Sequence, residues 1–208
     1  IYIMMQDFWN KRYKQKEYAY GEQPNRFFKE QIQNLSPGKA LFPAEGEGRN
    51  AVYAAQLGWE VEAFDISKEG KNKANNLALK QNVTINYHVG EIETLDFKAN
   101  QFDLIVLIFA HFETSKISLY HNILASYLRK DGLLILEGFS KNHIQFNAQN
   151  PNVGGPKDID MLFSVDEILN DFKDLHCISC SENEIELNEG IYHIGKGSVI
   201  RYIGKKIS

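Results

Sequence analysis

A short acidic segment that contains two glycines is the strongest chemical signal in the sequence. It runs from Ala44 to Asn50 as Ala-Glu-Gly-Glu-Gly-Arg-Asn and separates an apolar, strand-like run from a helix-like run. Small residues at such a junction let the backbone approach a ligand closely. Asp65 ends the next strand-like run, and its carboxylate could accept hydrogen bonds from two ribose hydroxyls. Together these features predict a site for a ligand that contains a ribose.

The charge of this segment separates two classes of ribose-containing ligand. Gly46, Gly48 and Ala51 have the spacing of a dinucleotide fingerprint with its permitted terminal alanine. A dinucleotide would place its pyrophosphate over the loop, where two glutamates put negative charge and Arg49 is the only nearby cation. S-adenosylmethionine (SAM) has no phosphate, and its ammonium and sulfonium groups favour nearby carboxylates. SAM is the predicted ligand, and an NAD-dependent oxidoreductase is the alternative.

Further contacts to the cofactor are predicted where the other strands end, because ligands of such folds bind outside the carboxyl ends of the strands. Gly90-Glu91-Ile92 follows the third predicted strand. The carboxylate of Glu91 could accept from an adenine amino group, while a neighbouring backbone N–H serves the ring nitrogen. The residues predicted to bind the cofactor are Tyr20, Ala44, Glu45, Gly46, Glu47, Gly48, Asn50, Asp65, Ile66, Gly90, Glu91, Ile92 and Ile108.

One histidine, His111, is a candidate for catalysis by its position in the sequence. His111 follows the fourth predicted strand, and a neutral imidazole can orient a nucleophile or take its proton near pH 7. His193 lies in the last predicted hairpin. Methyl transfer needs a general base only when the nucleophile must lose a proton, because positioning supplies most of the acceleration. A packing or capping role for His111 and a strand-surface position for His193 are the alternatives.

Strand-like and helix-like runs alternate after the glycine-poor N-terminal region. This alternation predicts an α/β fold, a Rossmann-like doubly wound sheet that is mostly parallel and has helices on both faces. The predicted strands are Ala40 to Ala44, Val61 to Phe64, Ile85 to Val89, Asp103 to Ala110 and Gly132 to Glu137. The predicted helices between them are Arg49 to Leu57, Ser67 to Lys80 and Lys116 to Leu128.

The two ends of the chain interrupt this alternation. Residues 7–35 are rich in aromatic side chains and are predicted to be helical, and residues 147–160 are predicted to form a polar loop. A helix near 165–172 precedes a hairpin whose strands are 175–187 and 192–203, so the C-terminal strand should be antiparallel. The length of 208 residues predicts a single domain, with residues 1–35 as a lid and 36–208 as the SAM-binding core.

The composition of the chain limits which binding partners and which cellular location we expect for the protein. The chain has 23 Lys and Arg against 27 Asp and Glu, a net charge of -4, which argues against binding of duplex nucleic acid. No apolar run approaches the roughly 20 residues of a membrane span, and no signal peptide is visible. Cys177 and Cys180 would point to opposite faces of a strand, so no metal site is predicted. We expect a cytoplasmic protein without nucleic-acid or membrane partners, and the sequence leaves its oligomeric state open.

These motifs resemble those of the class I SAM-dependent methyltransferases over nearly the whole chain. The segment 42–50 is similar to the family's Asp-Leu-Gly-Cys-Gly-x-Gly-Arg-Asn loop, and 63–67 is similar to its ribose-binding strand end. Residues 102–106 resemble its fourth strand, and 128–133 resemble the turn before its fifth strand. The resemblance implies a SAM-dependent methyltransferase whose last strand is antiparallel.

More narrowly, the sequence is similar to the branch that contains tellurite-resistance and thiopurine-methyltransferase-like proteins. The residues that carry this likeness are 8–13, 20–21, 24–25, 109–112, 154–156 and 189–195. The likeness implies a small-molecule methyl acceptor, with sulfur, selenium or tellurium as the candidate nucleophile, and a functional role for His193. A non-catalytic SAM-binding regulator and a methyltransferase-like subunit of a larger complex are the alternatives to an enzyme.

Two positions of the glycine loop depart from the family pattern. Phe42 stands where the family has an acid, and Ala44 stands where it has its first loop glycine. We therefore predict that Glu45 or Glu47 holds the methionine ammonium of SAM. An alanine still leaves room for close approach of a ligand, as long as its backbone φ is negative. In the last hairpin, Ile194 stands where the tellurite-resistance branch has an arginine.

Overall fold

The computed structural model describes residues 2–207, and the side chains of residues 4–207. The chain divides into two compact units. The first unit comprises the chain up to Asp96 together with Glu189–Ile191. The second unit comprises Phe97–Asn188 and the chain from Tyr192 onward.

The first unit is a parallel sheet with helices. Its strands have the order β3-β2-β1, and both neighbouring pairs are parallel. Ala40, Leu41 and Phe42 of β1 are fully buried, as expected for a strand that is covered on both faces. Its elements are α1 (Tyr2–Tyr13), α2 (Arg26–Ile32), β1 (Lys39–Pro43), α3 (Arg49–Gln56), β2 (Glu60–Asp65), α4 (Lys68–Lys80) and β3 (Asn86–Val89).

The second unit contains both parallel and antiparallel strands. Its strands have the order β4-β5-β7-β6, with β4 parallel to β5 and β5 antiparallel to β7. Its elements are β4 (Phe102–Ile108), α5 (Ile117–Tyr127), β5 (Leu128–Phe139), α6 (His143–Gln149), α7 (Val165–Asp171), β6 (His176–Glu189) and β7 (His193–Lys205). Short 3-10 turns occur at Ile92–Thr94 in the first unit and at Thr114–Lys116, Pro151–Val153 and Ile159–Met161 in the second.

The predicted fold class is confirmed. The seven strands form a mixed sheet that is mostly parallel, has antiparallel C-terminal strands and is flanked by helices. The order of predicted strands and helices from β1 to β5 is also correct. Among the described residues, no helix combines the length and the apolar character needed to cross a membrane. The assignment of residues 1–35 to a lid and of 36–208 to a core stays a prediction.

Two regions differ from the sequence prediction. The N-terminal region is not continuously helical, because residues 14–25 separate α1 from α2, and the Asn25 side chain caps α2 by accepting from Phe28 N at 3.0 Å. The predicted polar loop begins inside a helix, α6. His143 and Asn147 are one turn apart on α6, and both side chains donate to the carbonyl oxygen of Gly154. These tertiary hydrogen bonds hold the helix together with the apolar packing of Ile144 and Phe146 on the core.

Candidate functional site

The glycine loop that follows β1 has an unusual backbone. Ala44, Gly46 and Gly48 all have positive φ, at 49°, 62° and 89°. The condition under which an alanine would replace the family's glycine without strain, a negative φ, is therefore not met at Ala44. The left-handed conformation of a residue that carries a Cβ costs roughly 1–2 kcal/mol. Ala44 thus adopts the left-handed backbone conformation that a glycine would adopt at this position without strain.

The two glycines of the loop allow close packing by the protein itself. A Cβ on Gly46 would lie 2.6 Å from the hydroxyl of Tyr13, and one on Gly48 would lie 2.5 Å from the Cβ of Ala74. The hydroxyl of Tyr87 donates to the carbonyl oxygen of Gly46 at 2.6 Å. Helix α1, through Tyr13, and helix α4, through Ala74, therefore lie directly against the loop.

Asp65 connects the ends of the three strands of the first unit. Its Oδ2 accepts from Gly46 N at 3.0 Å, and its Oδ1 accepts from Ser67 N at 2.8 Å. Its carbonyl oxygen accepts from Gly90 N at 3.0 Å. Burial raises the pKa of Asp65 to about 6, although these backbone bonds lower it. Each carboxylate oxygen can accept a further hydrogen bond, so the predicted ribose contact stays a prediction.

Glu45 caps the helix that follows the loop. Its Oε1 accepts from Asn50 N and from Ala51 N, both at 2.8 Å. Gly48, at the N-cap of α3, has no side chain that could do so. Burial raises the pKa of Glu45 to about 7, against the lowering effect of these bonds and of Arg49.

Glu47 attaches the segment between α1 and α2 to the loop. Its Oε2 accepts from Ala19 N at 2.7 Å, and its Oε1 lies 2.7 Å from the Nζ of Lys73. Burial raises its pKa, although the lysine lowers it. Arg49 was predicted to be the only nearby cation, and Lys73 of α4 is a second one. No local spacing could have identified it, because the partners are 26 residues apart.

Tyr20 is held by two arginines. Arg12 donates to the Tyr20 hydroxyl at 2.9 Å, and Arg49 donates to its carbonyl oxygen at 3.2 Å. Arg49 also forms a largely buried ion pair with Glu189 at 2.9 Å. Asn50 accepts through its Oδ1 from Asn25 N at 2.8 Å. The structure therefore places Tyr20 and Asn50 with the glycine loop, and their predicted contact with a cofactor stays a prediction.

The remaining predicted cofactor residues have fewer contacts with the glycine loop. The carbonyl oxygen of Ile66 accepts from the side chain of Gln6 at 2.9 Å. Glu91 precedes the turn at Ile92–Thr94, and Ile92 is buried. Ile108 ends β4, so it belongs to the second unit, whereas all the other predicted cofactor residues belong to the first.

The loop carboxylates, Glu45, Glu47 and Asp65, determine the chemistry of this part of the first unit. All three have raised pKa values, and burial is the main cause in each case. Of the neighbouring cations, Lys73 is paired with Glu47 and Arg49 is paired with Glu189. Such a site favours a positively charged ligand group and disfavours a phosphate.

His111 lies after β4 in the second unit. Its Nδ1 lies 2.8 Å from the carbonyl oxygen of Met161, and its Nε2 lies 3.1 Å from the backbone nitrogen of Phe139. The ring therefore donates from Nδ1 and accepts at Nε2, so both nitrogens are used by the backbone. Burial lowers its pKa to about 4. A role as general base would require one of these bonds to break, and it stays a prediction.

His111, His143 and His193 surround one aromatic ring and form what we call the histidine cluster. Their ring centroids lie 5.7, 4.0 and 5.3 Å from that of Phe139. His193 is buried, so it does not lie on the strand surface. His143 was not predicted as a site residue, and only its contacts with distant residues reveal it. The neighbouring Phe109 has a positive φ of 52°, a strained backbone for a bulky residue.

Comparison with known proteins finds one family model that matches the part of the chain containing the loop carboxylates. A family model described as a methyltransferase domain matches residues 43–132. The match begins at the glycine loop and includes Asp65, Glu91 and His111. No curated protein matches the sequence at a significant level.

Solved structures give the same indication for the fold. TehB from Haemophilus influenzae is 19% identical, with a TM-score of 0.70 over 97% of this chain and 66% of that one. Magnesium protoporphyrin IX methyltransferase from Synechocystis PCC 6803, solved with bound SAH, is 14% identical, with a TM-score of 0.69 over 98% and 99% of the two chains.

A further similar structure comes from work on the conversion of a disulfide bond into a thioacetal group during echinomycin biosynthesis. It is 17% identical, with a TM-score of 0.78 over 98% of this chain and 92% of that one. Residues 43–132 therefore match the methyltransferase-domain family, and the chain has the fold of SAM-dependent methyltransferases of known structure.

Proposed function

We propose that the protein is a SAM-dependent methyltransferase that acts on a small molecule. The observation that carries this proposal is the set of loop carboxylates, which lies within the segment that matches the methyltransferase-domain family. Burial makes the ionised form of each carboxylate unfavourable, and a cationic ligand group would offset that cost. The ammonium and sulfonium groups of SAM meet this requirement.

The residues of the first unit fit the cofactor in charge and in hydrogen-bonding capacity. Bound SAM would supply a methyl group on a positively charged sulfur, so that an acceptor atom could form a bond to the methyl carbon while the carbon–sulfur bond breaks and the neutral thioether leaves. Asp65 binds the ribose hydroxyls through the lone pairs that Gly46 and Ser67 leave available. Glu91 accepts from the adenine amino group. Glu45 or Glu47 lies beside the methionine ammonium. That glutamate takes the role of the acid that the family has at the position of Phe42.

The N-terminal region acts as the lid over this site. Tyr13 of α1 lies against Gly46, and Glu47 and Arg49 hold the backbone of residues 19–20. These contacts cover Gly46 with the ring of Tyr13 and would reduce the access of water to the loop. Excluding water strengthens the electrostatic interaction between the loop carboxylates and a bound cation.

The finer features of the reaction follow the likeness to the tellurite-resistance branch. The acceptor is a sulfur, selenium or tellurium nucleophile, which needs little help from a general base. His111 and His193 are the residues proposed to orient it. Because both nitrogens of His111 are hydrogen-bonded to the backbone, its ring would orient the acceptor by packing rather than by proton transfer. We propose a cytoplasmic location and no nucleic-acid or membrane partner.

Calorimetry with SAM, its demethylated product and NAD tests the cofactor assignment. We expect SAM and the product to bind and NAD not to bind, because the loop carboxylates would repel a pyrophosphate. Binding of NAD with comparable affinity would overturn the proposal in favour of an oxidoreductase. A screen of thiol, selenium and tellurium acceptors for methylated product then separates an enzyme from a SAM-binding regulator, which would bind SAM without turnover.

A further inference from the structure

Two tyrosine hydroxyls lie at Gly46 of the glycine loop, and they differ in what they bind. The hydroxyl of Tyr87 donates to the carbonyl oxygen of Gly46 at 2.6 Å. The hydroxyl of Tyr13 lies 2.6 Å from the position that a Cβ on Gly46 would take, yet it has no hydrogen-bond partner in the described part of the chain. Tyr13 is 5% exposed, so this hydroxyl has little access to bulk water. A buried polar group of this kind is costly unless a ligand supplies its partner.

The ring of Tyr13 is held in place by several neighbours. It stacks on Trp9, with ring centroids 5.3 Å apart, and a Cβ on Gly70 of α4 would lie 3.1 Å from its Cδ2. Helix α1 is attached to the segment after β2, because the side-chain oxygen of Asn10 accepts from the hydroxyl of Ser67 at 2.7 Å. The hydroxyl without a partner therefore has a defined position beside the glycine loop.

The hydroxyl of Tyr13 is a neutral donor at physiological pH. Burial raises the pKa of Tyr13 well above its ordinary value, and the negative charges of Asp65 and Glu47 raise it further. A neutral phenol can donate one hydrogen bond. Hydrogen bonds to an ionised acceptor are roughly twice as strong as those to a neutral one, so an anionic ligand group is the partner that this hydroxyl would bind best.

SAM has one group that the loop carboxylates do not favour. Its methionine end carries a carboxylate beside the ammonium, and the loop carboxylates would repel it. The neighbouring cations are already paired, Lys73 with Glu47 and Arg49 with Glu189. The carboxylate of SAM therefore needs hydrogen bonds from neutral donors in this part of the protein.

Much of the backbone of the glycine loop is already engaged as a donor. The N–H of Glu45 donates to the carbonyl oxygen of Phe64 at 3.1 Å, and that of Gly46 donates to Asp65 at 3.0 Å. Two N–H groups in the first turn of α3 donate to the side chain of Glu45. The hydroxyl of Tyr13, in contrast, lies at the same loop with its hydrogen still to be donated.

We propose that the hydroxyl of Tyr13 donates a hydrogen bond to the methionine carboxylate of SAM. This inference rests on the proposed function and deepens it, because it gives the lid a direct polar contact with the cofactor. The loop carboxylates then bind the cationic groups of the amino-acid end, and the lid binds its anionic group. Tyr13 thereby selects for a ligand that carries this carboxylate.

Calorimetry with two ligands that differ only in this group tests the proposal. Decarboxylated SAM lacks the carboxylate and keeps the ammonium, the sulfonium, the ribose and the adenine. Both ligands are titrated into the parent protein, Tyr13→Phe and Tyr87→Phe. We expect Tyr13→Phe to bind SAM about tenfold or more weakly than the parent does. The same variant should bind decarboxylated SAM within about twofold of the parent, because no bond is lost with that ligand.

Tyr87→Phe is the matched control, because it removes a hydroxyl that the protein itself uses. The carbonyl oxygen of Gly46 loses its donor in this variant. Tyr87→Phe should therefore unfold at a lower urea concentration than the parent, and any loss of affinity should be the same for the two ligands. Tyr13→Phe removes no hydrogen bond within the described protein and should keep the parent's resistance to urea.

The outcomes separate a failure of this inference from a failure of the proposed function. A parent protein that binds neither ligand would overturn the proposed function and the inference with it. SAM binding by the parent that Tyr13→Phe leaves unchanged would overturn the inference alone. An equal loss of affinity for the two ligands in Tyr13→Phe would also overturn it, because the hydroxyl would then contact a group that both ligands share.

Discussion

The loop carboxylates of the first unit and the histidine cluster of the second both lie where strands end, and burial shifts their pKa values in opposite directions. The pKa of Glu45 rises to about 7 and that of Asp65 to about 6, whereas that of His111 falls to about 4. In each case burial disfavours the charged form. The carboxylates therefore retain protons toward neutral pH, and the imidazole loses its proton well below it.

The two regions differ in the hydrogen-bonding capacity that they leave to a ligand. The carboxylate of Asp65 accepts from the backbone of Gly46, Ile66 and Ser67, and its lone pairs leave capacity for a further bond. A neutral imidazole has one donor and one acceptor, and His111 uses both on the backbone. The comparison indicates that the first region is built to bind a cation, while the second fixes the position of aromatic rings.

The largest expected effect is on cofactor affinity. Asp65→Ala removes two hydrogen bonds from ribose hydroxyls to a charged group, and it should weaken SAM binding by about 2–4 kcal/mol in calorimetry. Glu93→Gln, an exposed acid of the same unit, is the control and should leave the affinity unchanged. Undiminished affinity in Asp65→Ala would remove the first region from the cofactor site.

The opposite pKa shifts predict opposite slopes of stability against pH. Glu45 has a higher pKa in the folded state than in the unfolded state, so its contribution to stability is lost as pH rises from about 4.5 to 7. His111 has a lower pKa in the folded state, so its contribution is lost as pH falls from about 6.5 to 4. Each effect amounts to about 3 kcal/mol at most.

Urea denaturation of two variants across this pH range separates the slopes. Relative to the parent protein, Glu45→Gln should lose less stability as pH rises, and His111→Gln should lose less as pH falls. The difference in slope, rather than the absolute stability, is the quantity to compare, because each substitution also alters hydrogen bonds. Identical slopes in the three proteins would mean that neither group is shifted by burial.

A third prediction concerns the methionine ammonium. Glu45→Gln and Glu47→Gln are compared for SAM affinity at low and moderate salt. A carboxylate that pairs with the ammonium should lose about 1.5–3 kcal/mol of binding when neutralised. The Glu47 variant also loses its pair with Lys73, so a fall in stability without a fall in affinity would assign that residue to the lid alone. If both variants bind like the parent, backbone carbonyls hold the ammonium.

The smallest effect is expected at Ala44. Its positive φ is a cost that glycine avoids, so Ala44→Gly should stabilise the protein by up to about 1 kcal/mol in denaturant unfolding. Ala54→Gly, in the interior of α3, is the matched control and should destabilise it by a similar amount. Destabilisation by Ala44→Gly would mean that the methyl group of Ala44 contributes packing that outweighs the backbone strain.

The sequence predicted those features that depend on local spacing. The alternation of apolar strands and amphipathic helices specified the order of elements from β1 to β5, and the turn residues 188–190 between two strand-like runs specified the C-terminal hairpin. The proximity of the glycine loop and Asp65 also followed from the sequence, because both lie directly after neighbouring parallel strands.

Contacts between distant residues could not be predicted in the same way. Lys73 lies against Glu47 from another helix, and Tyr13 lies against Gly46 from an N-terminal helix whose contact with the glycine loop no local pattern indicated. The left-handed φ of Ala44 contradicts its own local preference and is imposed by the loop. Helix α6 depends on side-chain bonds to Gly154, which no periodicity reports.

The most direct test of the central claim, that the loop carboxylates receive a cation, is the proton balance of SAM binding. A cation beside Glu45 or Glu47 lowers the pKa of that carboxylate, and ribose hydroxyls that donate to Asp65 lower the pKa of Asp65, so binding at about pH 6.5 should release protons. Calorimetry in two buffers with different ionisation enthalpies measures that release, and either Glu45→Gln or Glu47→Gln should reduce it. Proton uptake, or a release that neither variant reduces, would contradict the account.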